Sequence, residues 1–119
     1  MRNQQLTKTF TASGAIPKRR IVKLDAADNA VALSSDVADR LMGVSDDAAD
    51  IEAGRAVDVI FQGIVEVEAS AAIGKGARIT TDADGKAKAT TTATDNVVGF
   101  ALTAASAAGD VISIEINKH

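Results

Sequence analysis

Enzymatic chemistry needs reactive residue types within reach of one another, and this chain carries few of them. It has no cysteine and a single histidine, His119. Disulfides, thiolate nucleophiles, Cys-bearing zinc sites, multi-histidine metal centres and an internal Ser-His-Asp triad are therefore excluded. A lone histidine at a chain terminus reads as a solvated side chain rather than a ligand or base. The acidic run Asp46, Asp47, Asp50 and Glu52 has enough oxygens for a calcium ion, but it lacks the spacing and the glycine of an EF-hand loop. It reads as a solvated loop. Gly74-Lys75-Gly76 carries part of the chemistry of a phosphate loop without the Lys-Ser/Thr ending or a following helix, and reads as a tight turn opening a strand. Lys18, Arg19, Arg20 and Lys23 form the densest positive cluster. On a strand, Lys18 and Arg20 take one face and Arg19 and Lys23 the other, which is a charged edge strand rather than one phosphate-reading patch. Paired carboxylates could be drawn from 16 acids, but three Phe with no Trp or Tyr supply no stacking platform for sugars or bases. No enzymatic activity, cofactor or metal site is expected.

The elements that must position any site are constrained by size. The chain has 119 residues and a formal charge of −3, which suits one domain and gives no polyphosphate attraction. The hydrophobic fraction of 46% overstates the core, because 24 of those residues are Ala, with 11 Val and 10 Ile making up most of the rest. Small and β-branched residues must do the packing. Met1 to Phe10 is polar and no apolar run approaches the roughly 18 residues of a membrane span. A soluble chain made in a cytosol is expected, with neither nucleic acid nor membrane as partner.

A degenerate duplication organises the sequence. Ile16-Pro-Lys18, Ile21-Val22 and Asp25 recur as Ile73-Gly-Lys75, Arg78-Ile79 and Asp82 at an offset of 57 residues. Asp39 to Val44 recurs as Asp95 to Phe100, and Gly54 with the strand after it recurs as Gly109. Repeat one is read as about 16–68 and repeat two as about 73–116, within a single β domain spanning 16–119. Two copies are too few for a solenoid, so the halves should pack as a pseudo-symmetric barrel or sandwich.

Strands are expected over 20–24, 77–81, 86–90 and 111–116, where Ile, Val and Thr alternate with polar residues. Asp84-Gly85 predicts a two-residue hairpin turn, and Asp28-Asn29 its counterpart. The longest strand should cover 56–69, with an apolar face running straight through Gly63 and a bend there. Helix is scarce: Ser35 to Leu41 has room for one or two turns. Pro17 fits the approach to the first strand. Met1 to Ala15 falls outside the duplication and reads as an N-terminal arm ending in an edge strand. Ala69-Ser70-Ala71-Ala72 and Thr103 to Ala108 read equally as flexible connectors or as flat surfaces for close packing.

Five stretches in order resemble the small head-decoration, or capsid-cement, proteins of tailed bacteriophages. They are Ile16-Pro-Lys18, Val57 to Val67, Ile73 to Gly76, Thr90 to Phe100, and Ala107 to Ile114. The resemblance implies an all-β virion protein on the outer surface of the phage head, made in the host cytoplasm. It would clamp neighbouring major-capsid subunits against internal DNA pressure. The implied partners are the major capsid protein and other copies of the chain, as a trimer rather than a dimer. On this reading the arm residues Arg2, Asn3, Gln4, Gln5, Leu6, Thr7, Lys8 and Phe10 would meet the capsid, with Leu6 and Phe10 as anchors. Ala71, Ala72, Ala104 and Ala105 would mediate self-association. The alternative is a generic β-barrel interaction module, such as a tail or baseplate component or an adaptor; a small polar-ligand barrel would instead need an interior void.

Overall fold

The computed structural model describes residues 6–25, 28–45 and 50–116. Among them are nine strands and no helix: β1 (Leu6–Ala12), β2 (Ile21–Leu24), β3 (Ala30–Leu33), β4 (Leu41–Ser45), β5 (Ala56–Glu68), β6 (Arg78–Thr81), β7 (Ala87–Thr90), β8 (Gly99–Ala101) and β9 (Val111–Ile116). The order β1-β3-β2-β4-β5, with β1 pairing back onto β5, closes a five-strand barrel. Beyond Gly63, β5 leaves that barrel and pairs with β9, opening a second set in the order β5-β9-β8-β6-β7. A single parallel bridge, Ala69 to Ala87, joins its ends where Ala12 pairs with Val31 in the first barrel. The architecture is therefore a barrel, with one strand common to both halves.

The duplication is kept in the register of the ladders apart from shifts at Leu6/Thr7 and Val22/Lys23 in the first half. Phe10 faces Val57 as Val67 faces Ile112, and Val22 faces Gly43 as Ile79 faces Gly99. Turns repeat as well: Arg19 and Gly76, Asn29 and Gly85, and Gly54 and Gly109 are matched residues at positive φ. Gly63 (φ 114) has no counterpart, because it is where the strand passes from one barrel to the other and bends, as the continuous pattern through it predicts.

Three expectations are corrected. The repeat begins by residue 6, not at 16: β1 occupies in the first barrel the place that residues 63–69 hold in the second, so an arm apart from the body does not describe Leu6–Ala12. Its main chain is tied into the barrel, with Ala12 N donating to Arg55 O at 2.9 Å just as Ala69 N donates to Asp110 O at 2.8 Å. Ser35–Leu41 forms a turn instead of a helix, because the Asp39 carboxylate accepts from the N–H groups of Ser35 and Asp36 at 2.9 and 3.0 Å. That side chain competes with helical pairing of the same backbone. The β6–β7 connection spans 82–86, wider than two residues, because the Asp82 carboxylate accepts from Asp84 N and Lys86 N, both at 2.8 Å. Only Gly85 there needs positive φ.

Two packing groups follow from this arrangement. Phe10, Ala12, Ile16, Val22, Val31, Val57 and Val59 fill the first barrel. The second barrel's interior, including Val65, Val67, Ile79, Ala87, Val98, Ile112, Ile114 and Ile116, forms one cluster with Ile21, Val44 and Ile60, which belong to strands of the first. Those three lie in one cross-strand row, Ile21 opposite Val44 and Val44 opposite Ile60. A row on the outside of the first barrel thus packs against the end of the second.

Two predictions follow. A Cβ on Gly43 would collide with the Ile60 carbonyl, and one on Gly99 with the matching Glu115 carbonyl. Either glycine replaced by Ala should lose about 1–3 kcal/mol or more, read as a fall of several degrees in Tm, whereas Gly14→Ala, which meets nothing nearby, should change Tm little. For Asp39, burial pushes the carboxyl up, but the two N–H bonds and Lys23 at 3.6 Å outweigh it and hold the group below its ordinary value. A depressed carboxylate stabilises the fold above the unfolded value and loses that contribution as pH falls through the folded one. The Tm gap between wild type and Asp39→Asn should therefore narrow as pH is lowered from about 6 to about 3; a constant gap would show that the charge contributes nothing.

Candidate functional site

The interior of the first barrel is filled by its own side chains, so the candidate residues are followed over the outside. Arg2, Asn3, Gln4 and Gln5 lie outside the described residues. Leu6, Thr7 and Lys8 are exposed on β1. Phe10 is not: it is buried opposite Val57 in the barrel core, so its role as a capsid anchor is corrected. The even-numbered face of β1 turns inward at Phe10 and Ala12, while Lys8 stays at the barrel mouth with its ammonium 5.3 Å from the Phe10 ring. Along β1, pairing with β3 covers only Thr11 and Ala12. The edge from Leu6 to Thr9 has no strand partner on that side among the described residues. Opposite it, β5 holds the strand in place, and Thr9 donates its hydroxyl to Asp58 at 2.6 Å.

The alanine-rich segments meet each other at the far tip of the second barrel. Ile73 and Ala105 exchange main-chain hydrogen bonds, both 3.0 Å. Ala105 is buried by that bridge and belongs to the core, which removes it from any contact with another copy. Ala71, Ala72 and Ala104 remain exposed. Gly74-Lys75-Gly76 makes the expected turn, Gly76 N donating to Ala101 O at 2.8 Å.

Three of the four side chains of the positive cluster are paired within the molecule, and Lys18 is exposed. Arg19 pairs with Glu66 at 3.9 Å, Lys23 with Asp39 at 3.6 Å, and Arg20 with Glu68 at 3.5 Å, while Lys86 reaches the other oxygen of Glu68 at 3.4 Å. Arg20 also donates to the Asp84 carbonyl at 3.0 Å. This network crosses between the barrels, and β2 lies between β3 and β4 rather than at an edge; the charges serve the junction. Ser34 reinforces it, its hydroxyl 2.6 Å from that of Thr81, both buried. From the acidic run, Asp50 accepts from Lys18 N at 3.0 Å and Glu52 is exposed; Asp46, Asp47 and His119 lie outside the described residues. A shallow cleft of about 290 Å³ lies between Ala38, Arg40, Leu41, Asn96 and Val97. Asn96 crosses the same junction, its side-chain amide donating to the carbonyls of Ala38 and Asp39 at 3.1 and 2.6 Å.

Residue chemistry alone passes over the exposed apolar side chains Leu24, Phe100 and Val111. Their signal was the repeat itself: Phe100 stands at the place of Val44, which is buried, and Leu24 at the place of Thr81, also buried.

No curated protein matches the chain. A crystal structure described as the head fiber gp8.5 N base of bacteriophage phi29 is similar to it with a TM-score of 0.72 at 20% identity, covering 98% of this chain and 100% of that one. At that identity the likeness establishes the fold, an all-β small barrel. The family model described as phage cement protein matches residues 1–116, nearly the whole chain and both barrels, and on that match the chain belongs to the phage cement protein family.

Proposed function

We propose that this protein is a non-enzymatic structural component of the virion that binds the outside of a phage head and clamps neighbouring major-capsid subunits. The observation that carries the reading is the match to the cement family over both barrels. The similar phi29 structure, described as a head fiber base, supports placing the chain on a head. The protein is made in the host cytoplasm and joins the shell from there. Clamping operates by repetition: a modest contact made many times over a closed lattice is not released all at once.

The contact toward the capsid is the open edge of β1 and the residues before it. Main-chain groups from Leu6 to Thr9 can take up an extended capsid segment, with Leu6 and Lys8 supplying side-chain contacts and Arg2 to Gln5 extending the reach. The exposed tip at Ala71, Ala72 and Ala104 is small-surfaced and suits close approach to a neighbouring copy on the lattice.

Purified protein mixed with expanded heads lacking it should co-sediment and saturate at a fixed ratio to major capsid protein. Failure of a well-folded sample to bind would overturn the reading. Deleting residues 2–10 would remove most of β1 and test folding, so the edge is better tested by removing residues 2–5 together with Leu6→Asp. That variant should keep its Tm within a few degrees and weaken head binding at least about tenfold, the cost of roughly 1.4 kcal/mol; unchanged binding would exclude the edge.

A further inference from the structure

The two barrels are joined head to tail, and each half of that joint has a free counterpart elsewhere on the molecule. In the joint, the outer row Ile21, Val44 and Ile60 of the first barrel, all fully buried, closes the end of the second. The end that it closes carries Val65, Val98 and Ile116, with Thr81 and Gly85 at the rim: Thr81 bonds Ser34, and Gly85 O accepts from Ile21 N at 2.7 Å.

By the register of the repeat, the row equivalent to Ile21-Val44-Ile60 is Arg78-Phe100-Glu115 on the second barrel. Among the described residues no element packs over it as one does over the internal row: Arg78 and Phe100 are exposed, Phe100 at 36%, and Glu115 is half-buried. The equivalent of the closed end is the mouth of the first barrel, where Lys8, Met42 and Phe61 stand in place of Val65, Val98 and Ile116, and Leu24 in place of Thr81. Leu24 is 42% exposed where Thr81 is 1%. Among the described residues the molecule thus presents a plug and a socket that the internal joint leaves unused, each built on the same scaffold as a contact already made inside the chain.

We propose that the occupant of both is a second copy of this chain: the Phe100 row of one copy seats on the Leu24 mouth of the next, repeating the internal joint between molecules. The substitutions fit a contact that must also tolerate water. Where the internal row is wholly apolar, the free row keeps a large apolar centre and flanks it with Arg78 and Glu115, as interfaces of separately folded partners do. Placed as in the internal joint, Arg78 comes beside Asp28, since Ile21 N donates to Gly85 O and Asp28 precedes the matching Asn29. That pairing is of opposite charge. The contact joins two different faces, so repeating it generates a ring or a filament according to the rotation between copies. It deepens the self-association within the proposed function, and it is tested without any capsid.

The experiment is sedimentation velocity over a range of concentrations on the full chain, with Phe100→Asp and Leu24→Asp, both at exposed sites, checked for unchanged Tm. Wild type should assemble beyond a dimer. Each variant alone should lose at least about tenfold in association, because one of its two faces is spoiled. An equimolar mixture should form a 1:1 heterodimer, since the intact mouth of Phe100→Asp accepts the intact row of Leu24→Asp. A monomeric wild type, a variant that assembles normally, or a mixture that stays monomeric would each overturn the proposal. Head binding by the Phe100→Asp monomer, measured separately, keeps this outcome distinct from that of the capsid reading: binding retained without assembly removes only the head-to-tail contact.

Discussion

The packing of Ile21, Val44 and Ile60 against the end of the second barrel is the contact on which the rest of the structure depends. Burying such a side chain contributes roughly 1.5–3 kcal/mol, so the three together rival the whole net stability of about 5–15 kcal/mol expected for a domain. A five-strand barrel alone is small and has two open ends. Here one end is closed by the neighbour's wall, and the two cores become a single cooperative body. The shared strand β5 makes this geometry obligatory, since it supplies Val57 and Val59 to one core and Val65 and Val67 to the other.

Composition becomes intelligible in this light. A barrel interior this narrow admits few large side chains, and Ala12, Ala69, Ala87, Ala101 and Ala105 are buried where strands and loops converge. The alanines that inflate the hydrophobic fraction are in part the filling of two thin barrels. Strand β4 and its partner β8 approach β5 and β9 so closely that Gly43 and Gly99 leave no space for a side chain. The same solution at both sites shows that it is a requirement of the barrel and not an accident of one half.

Function is carried by the outside. The polar groups that look reactive in the sequence are engaged internally: Arg20, Glu68 and Lys86 bind the two barrels together, and Asp39 shapes a turn. What is left for partners is an open strand edge, a small-residue tip and two apolar patches.

The residue pattern alone carried the strand class, the duplication, the bend at Gly63 and the family resemblance, because alternation, turn residues and repeated motifs are local signals that survive without coordinates. It also carried the extension of the repeat into β1, in the match of Ala12-Ser13, Ala15-Ile16 and Lys18 to Ala69-Ser70, Ala72-Ile73 and Lys75, which a polar N-terminal stretch disguised as an arm. The short strands β3, β4 and β8 were illegible in part because they are held by neighbours on both sides rather than by their own patterning. Packing alone turns Phe10 and Ala105 inward, brings carboxylates to Arg19, Arg20 and Lys23, and covers Val44 while leaving Phe100 exposed. Burial of a side chain depends on which element packs across it, and two positions equivalent in sequence meet different neighbours once the halves are stacked end to end.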